Sequence, residues 1–487
     1  MKIQDQPWQQ SVFVDGQFRR PTGNAGIDVR DKASNEVFAT AGLADLSDVD
    51  DAVESATVAQ GAWAQRTYAE RAAVLRQVAA VLAERAPFLR ELLIRETGCI
   101  AGKADYEIGA ATSELMEAAG LASRPVGEVL ASNHAGRLSL SERVPIGVVG
   151  VITPWNFPLV LGMRVIAPAL ALGNTVVLKP SPETPISGGL AIAELFAAAG
   201  VPAGILNVVP GQEKTGRRLV EHPGIAMVHF TGSTKVGREI AAVAGGLLKK
   251  VSLELGGNNA LIVLDDADLE QATMIGAWSS FHYQGQTCIT AGRHIVRREI
   301  ADAYVAGLSA RAAAITVGDP LNGMVGLGPM INARQQARAQ EMLDEAIAGG
   351  ARIVTGGSDE VPFFRPTVVV DVTPRMRLWN EEIFAPIAPV LVVDSDAEAL
   401  EVANDTGYGL VDSVLTADLA RGLAIARNLS AGMVHINDAT PQDEALAPFG
   451  GIGRSGLGGR AGGDSNLDEF TERRWTTVAG GPAHYPY

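Results

Sequence analysis

From Ile146 to Gly246 the chain alternates short apolar runs with helical patterns, and this alternation limits the fold more than any other feature. The run "IGVVGVIT" is apolar at nearly every position, as a strand covered on both faces must be. A Pro/Asn turn follows, then "RVIAPALALG", "NTVVLKP", "SGGLAIAELFAAAG", "GILNVVPG", "KTGRRLVEH", "IAMVHFTG" and "KVGREIAAVAGG". Strands separated by helices predict a parallel sheet with helices on both sides. A second alternating set runs from "NALIVL" through "RHIVRR", "FRPTVVVDV" and "APVLVVD", and predicts a second α/β unit. A length of 487 residues accommodates both,. Residues Val126–Arg143, two short β-like runs around "NHAG", read as a hairpin outside both sheets. The tail "WTTVAGGPAHYPY" reads as extended. Hairpin and tail are candidates for contacts between copies of the chain. Upstream, Leu46–Ala86 carries apolar residues at helical spacing, with Ser47 as the expected N-cap,.

Charge and cysteine usage exclude several classes. A net charge of −15 argues against nucleic acid or an anionic membrane surface as a main partner,. The stretch Ile146–Leu178 is long enough to span a bilayer, but Pro154, Pro158, Pro168, Asn156 and Asn174 interrupt it,. A buried strand, helix and strand account for it better. The N-terminus "MKIQDQPWQQ" lacks an apolar core, so no signal peptide is expected,. Two cysteines, Cys99 and Cys288, cannot build a disulfide framework and suit a reducing, cytoplasmic setting,. Seven histidines show no metal-binding spacing, and no catalytic metal is expected,. No G-x-S-x-G elbow is present,.

Two glycine motifs need weighing. "GIGRSG" (451–456) matches the dinucleotide pattern G-x-G-x-x-G, but no apolar strand precedes it and no helix follows,. It reads as a loop. "GSTKVGRE" (232–239) has Walker-like glycine spacing without the Lys-Ser/Thr ending,. Its place between a strand and a helix suits an anion such as pyrophosphate, or an ordinary strand-to-helix turn. Three polar spots also stand out: "TPWNFP" puts Asn156 in a turn directly after a buried strand, "LELGG" puts Glu254 at the end of a strand-like run, and "GQTC" supplies the Cys288 thiol. Open α/β sheets gather their chemistry at carboxyl ends of strands, so the three can converge. Cys99, in a helix-like setting without a partner signal, reads as structural.

Seven motifs in order, "PWNFP", "LKP", "FTGST", "LELGG", "GQTC", "EEIFAP" and "PFGG", resemble those of the aldehyde dehydrogenase superfamily across nearly the whole chain. The resemblance implies an α/β, aldehyde dehydrogenase-like fold. A Rossmann-variant NAD(P)-binding domain would span 1–122 and 145–256. A catalytic domain would span 257–450. An oligomerisation arm and tail would take 123–144 and 466–487. The resemblance further implies that Cys288 attacks an aldehyde carbon to form a thiohemiacetal, while the Asn156 amide and the Cys288 backbone N–H hold the oxyanion. One such donor contributes roughly 3–4 kcal/mol to the barrier. After hydride loss a thioester remains, and Glu254 activates water; burial should raise its pKa for that task.

The cofactor residues implied by resemblance are Thr153, Pro154, Trp155, Lys179, Ser181, Pro182, Gly232, Ser233, Leu255, Gly256, Glu382 and Phe384. Lys179 resembles the residue that reaches the adenine ribose, Gly232 and Ser233 the pyrophosphate turn, and Glu382 with Phe384 the nicotinamide-ribose motif. NAD-preferring relatives usually place a glutamate where Pro182 stands here. Its loss removes a repulsion against a 2′-phosphate, so NAD and NADP both stay open. The segments "HINDAT…DEALAPFGGIGRSGLGGRAGG" and "WTTV" resemble the benzaldehyde and vanillin dehydrogenase group, as does Gly453 in place of a common lysine. That implies an aromatic aldehyde, with Asn156, Leu161, Arg164 and Cys288 as substrate contacts and the loop Asn437–Glu444 nearby. A homodimer or homotetramer is expected. The alternatives are an aliphatic or semialdehyde dehydrogenase, a coenzyme A-acylating relative, which Glu254 disfavours, and a non-catalytic binding protein that keeps the fold.

Overall fold

The computed structural model describes residues 3–358, 361–481 and 485. The strand Val148–Ile152 is buried at all five positions. Each fully buried Val or Ile side chain contributes about 1.5–3 kcal/mol relative to exposure. It lies parallel between Thr175–Lys179 and Met227–Gly232. Lys250–Leu255 and Leu206–Val208 extend this parallel core on either side. The full sheet has eight strands, and its edges are antiparallel. Gly456–Leu457 pairs with Lys250–Leu255, while Val12–Val14 pairs with Leu206–Val208 and then with Gln17–Arg19. The purely parallel sheet predicted from the alternation is therefore corrected to a mixed one. Edge segments that reach the sheet by a loop need no helical crossover, and they cover exposed backbone groups.

The second sheet has seven strands. It runs from the antiparallel hairpin Arg352–Ser358 and Phe364–Val370 through Ile387–Val393, Ala291–Arg297, Asn259–Val263 and Val411–Leu415 to Met433–Ile436. A third, antiparallel sheet joins Gly127–Leu130, Arg137–Pro145 and Thr471–Ala479. The expected hairpin thus gains a strand from the tail. Residues 482–484, 486 and 487 of that tail lie outside the described residues.

The stretch Leu46–Ala86 is helical, but its cap is not the expected Ser47 and it falls in two helices. Asp45 is the N-cap of Leu46–Ala64, in a capping box with Asp48,. A second capping box, Thr67 with Glu70, starts Tyr68–Thr97. An aspartate two residues earlier outcompetes Ser47 because Asp48 can reach back to its backbone amide. Among the described residues no helix is long and apolar enough to cross a membrane.

Candidate active site

The turn Thr153–Phe157 leaves strand Val148–Ile152 at its carboxyl end and enters helix Pro158–Ala171. The N-cap, Phe157, has no side-chain oxygen for the free helical amides,. Glu107, from helix Ala101–Leu121, supplies one in its place. Its Oε1 accepts from Leu159 N–H at 2.7 Å and from Val160 N–H at 3.3 Å. Glu107 is ion-paired with Lys103, and both side chains are fully buried. Lys103 Nζ donates to the Asn156 carbonyl at 2.7 Å and lies 4.2 Å and 4.3 Å from the Phe157 and Tyr283 ring centroids. A compensated buried pair therefore fixes the backbone that carries Asn156. The buried Asn156 amide donates from Nδ2 to the Gln286 carbonyl at 3.0 Å, next to the cysteine turn.

Cys288 sits between the short 3₁₀ turn His282–Gly285 and strand Ala291–Arg297. Tyr283, Gln284 and Gly285 are all left-handed, with φ of 49°, 55° and 63°. The first two carry a Cβ penalty there, so the surroundings must hold them. Tyr283 Oη donates to Thr97 O at 3.3 Å; Gln284 Nε2 donates to Gly98 O at 3.2 Å and to Pro329 O at 2.7 Å. A Cβ on Gly285 would lie 2.2 Å from the Ala385 carbonyl oxygen. Asn259 Nδ2 fixes the Cys288 carbonyl at 2.9 Å. The polar, glycine-flanked segment is thus the scaffold of a bent backbone that leaves the cysteine half-buried instead of sealed.

Glu254 lies on Lys250–Leu255, paired with Thr231 on one side and Gly456 on the other. It is buried, and its Oε2 has no partner. Gly450 of "PFGG" leaves it room: a Cβ there would be 2.7 Å from Oε1. Burial pushes this carboxyl up to about 8, against the pull of Arg164 and Arg460,. The Cys288 thiol is pushed up to about 12, first by burial and then by the Glu382 and Glu254 carboxylates.

Asn156, Glu254 and Cys288 line one cleft of about 760 Å³. Pro154, Trp155, Leu161, Gly232, Ser233, Leu255, Gly256, Glu382 and Phe384 line it too. Ser233 caps helix Thr234–Gly246, so the cleft meets a helix N-terminus,. Trp155 and Phe384 meet edge to face at 5.4 Å. Glu382 accepts from Gly257 N–H at 3.2 Å, and burial pushes its carboxyl up to about 7. Gly256 has to be glycine, since a Cβ there would come within 2.1 Å of Glu382 Oε2.

Four predicted cofactor residues do not line this cleft. Lys179, Ser181 and Pro182 lie at the carboxyl end of the neighbouring strand, whose Lys179 pairs with Ile152. Lys179 Nζ donates to Pro180 O at 3.1 Å, and burial pushes its pKa down to about 8. Thr153 follows Ile152 and keeps a buried hydroxyl without a partner. Arg164, a predicted substrate contact, borders a different cavity. Among the described residues no group of three or more His, Cys, Asp or Glu could hold a metal ion.

The cleft also contains residues that sequence reasoning missed. Arg338 donates to the Glu382 and Ile383 carbonyls at 2.9 Å and 3.0 Å; in sequence it looked like a surface charge of an amphipathic helix. Arg454 lies over the Tyr408 ring at 4.8 Å, and its carbonyl accepts from Thr234 Oγ1 at 2.9 Å. It comes from "GIGRSG", expected to be a loop; the segment instead forms the 3₁₀ turn Gly453–Ser455 and begins the edge strand Gly456–Leu457, with Arg454 lining the cleft. Lys235, Arg238 and Glu239 of "GSTKVGRE" line it as well.

The aldehyde dehydrogenase family model matches residues 18–476. The benzaldehyde dehydrogenase [NAD(+)] of Pseudomonas putida is 46% identical over 487 residues, covering 100% of both chains. A vanillin dehydrogenase of an Amycolatopsis species is 46% identical over 486 residues, covering 100% of this chain and 99% of the other. The solved structure of Staphylococcus aureus betaine aldehyde dehydrogenase in complex with NAD+ superposes with a TM-score of 0.96 at 30% identity, covering 100% of this chain and 97% of the other. The chain belongs to the aldehyde dehydrogenase family and is an NAD(P)-dependent oxidoreductase of small-molecule aldehydes.

Proposed function

We propose that this enzyme oxidises aromatic aldehydes to carboxylic acids, with Cys288 as nucleophile, Asn156 as oxyanion donor and Glu254 as the base that activates water. The observation that carries the reading is the convergence of these three side chains on one cleft beside a helix N-terminus. The names of the 46%-identical relatives support the aromatic ring.

The chain's own groups account for the chemistry around the reacting carbon. The Cys288 sulfur gives its proton to water in the open cleft and bonds to the aldehyde carbon, moving the carbonyl electron pair onto oxygen,. The second N–H of the Asn156 amide and the Cys288 backbone N–H would donate to that oxygen; the amide is held by its bond to the Gln286 carbonyl and the cysteine backbone by Asn259,. When bound, NAD(P) supplies a hydride acceptor. Glu254, with one oxygen unpaired, takes a proton from water, and hydroxide displaces the acyl group from sulfur,. The acid leaves and the thiol is restored.

The residues around the cleft fit the dinucleotide. Gly232, Ser233 and the helix N-terminus suit a pyrophosphate, Glu382 suits a ribose hydroxyl, and Gly256 keeps the floor free of a Cβ. Lys179, Ser181, Pro182 and the unpaired Thr153 hydroxyl continue the same edge of the sheet towards an adenosine. At the 2′-position, Pro182 offers no carboxylate. The adjacent Glu183 is held by Lys32 at 2.8 Å and Asn332 at 2.9 Å. The missing carboxylate removes a repulsion against a 2′-phosphate, so the reading covers NAD or NADP. Pro182→Glu should lower kcat/KM for NADP relative to NAD at least about tenfold; an unchanged ratio refutes this.

In this reading the first sheet, with 1–122 and 145–256, binds the cofactor, and 257–450 carries the nucleophile. The third sheet exposes Val129, Trp475 and Val478, which supports contact between copies in a homodimer or homotetramer; light scattering would detect a monomer and refute this,. Two unpaired cysteines support a cytoplasmic setting, which localisation of a tagged chain would check,. The substrate assignment is tested by kcat/KM for benzaldehydes against short aliphatic aldehydes at saturating cofactor. Benzaldehydes should be preferred; equal or faster aliphatic turnover overturns the aromatic reading.

A further inference from the structure

Helix Pro158–Ala171 carries Leu161 and Arg164 one turn apart, on one face,. Leu161 borders the cleft that holds Cys288. Arg164 borders a second cavity of about 490 Å³, lined also by Tyr106, Ala110, Glu114, Asp443 and Leu446. Phe449 stands between Arg164 and Cys288. Its ring lies 4.7 Å beneath the Arg164 guanidinium, and it belongs to the apolar cluster against which Cys288 packs. Arg164 and Asp443 are close enough for their charges to bear on both Cys288 and Glu254.

A guanidinium at the far end of an aldehyde site would ordinarily attract a substrate carboxylate, because its paired N–H groups match both oxygens. Here two internal carboxylates already use it. Arg164 Nε donates to Glu114 Oε1 at 2.9 Å, and Nη2 is bonded to Asp443 Oδ2. Burial alone would lower the Arg164 pKa, but Asp443 and Glu114 hold it well above its ordinary value. The second Asp443 oxygen, Oδ1, is buried and unpaired, so acceptor capacity is in surplus. Glu117 and Glu444 add two more carboxyls to the rim, leaving one cation against four acids.

We propose that the Arg164–Asp443 pair makes this chamber a specificity filter: it admits uncharged aldehydes and rejects those carrying a carboxylate. The filter deepens the aromatic-aldehyde reading above and names the ring substituent that reading leaves open. An incoming carboxylate would meet Asp443 where its own partner should be, and like charges brought together without a counter-ion are strongly disfavoured.

The test uses two matched pairs on the intact enzyme: benzaldehyde with 4-carboxybenzaldehyde, and pentanal with glutarate semialdehyde. The wild type should prefer the uncharged member of each pair by at least about tenfold in kcat/KM. Asp443→Ser should narrow both ratios by at least about tenfold, by freeing Arg164 for the substrate. Asp443→Glu, which keeps the charge, should retain them. Equal kcat/KM within both pairs in the wild type overturns the proposal. So does a wild-type preference that Asp443→Ser leaves unchanged. If Asp443→Ser does not fold, Asp443→Asn keeps the side-chain shape and reads out the same ratio. Failure of the aromatic reading is distinct: pentanal would then outrun benzaldehyde, whatever the charge ratios.

Discussion

The surroundings of the two cysteines differ more than their acidities. Cys99 follows the left-handed Gly98 that ends helix Tyr68–Thr97, is wholly buried, and has its thiol pushed up by burial. Cys288 has its thiol pushed up too, yet it opens into a cleft. The two segments even touch, since Gln284 and Tyr283 bond the carbonyls of Gly98 and Thr97. What sets Cys288 apart is access and its neighbours in the cleft, the Asn156 amide and the unpaired Glu254 carboxyl, which the proposed mechanism uses for the oxygen and the proton,. The Cys99 segment serves as the abutment on which the strained Cys288 turn rests.

The contrast can be broken most directly at Cys288 itself. Cys288→Ala should lower aldehyde oxidation by about 10⁴-fold or more, measured as reduced cofactor formed. Glu254→Gln comes next. It should slow thioester hydrolysis by about 10²–10⁴-fold and leave an acyl-enzyme that mass spectrometry detects. The pH dependence sharpens this. The carboxyl must be ionised to act as a base, and its pKa is about 8, so wild-type deacylation should climb as pH rises through that value. A flat profile there would remove Glu254 from the role. Asn156→Ala should cost about 10²–10³-fold in kcat with a smaller change in KM, separable by steady-state kinetics. Cys99→Ala should be mildest. It should cost about 1–2 kcal/mol in denaturant unfolding through the small cavity left behind, and activity should persist. Loss of activity equal to that of Cys288→Ala would collapse the distinction between the two sites.

What the sequence reveals follows from how local each signal is. "TPWNFP" and "LELGG" close apolar strand runs, and "GQTC" stands out as a thiol in a polar, glycine-flanked turn, so the three residues that line the cleft were legible before any fold was known. The support beneath them was not. Lys103 and Glu107 lie four apart on a helix and look like an exposed ion pair, yet both are fully buried and hold the Asn156 turn from 53 and 52 residues away. Arg164 was read as bordering the substrate; its partners Glu114 and Asp443 are separated from it by 50 and 279 residues, beyond any periodic pattern. Arg338 and Arg454 were hidden in the same way, one on an amphipathic face and one in a glycine loop. The antiparallel edge strands escaped because two or three residues are too few to show alternation.

The short strand Gly456–Leu457 has a consequence for biosynthesis. It closes the edge of the first sheet beside Glu254, and Gly450 forms the wall against that carboxyl. A chain emerging from the ribosome has every reactive group in place after residue 288, but the pocket around its base stays open to solvent until some 170 further residues have been added,. A chain cut short before Gly450 would carry the Cys288 sulfur without the wall and the edge strand beside Glu254.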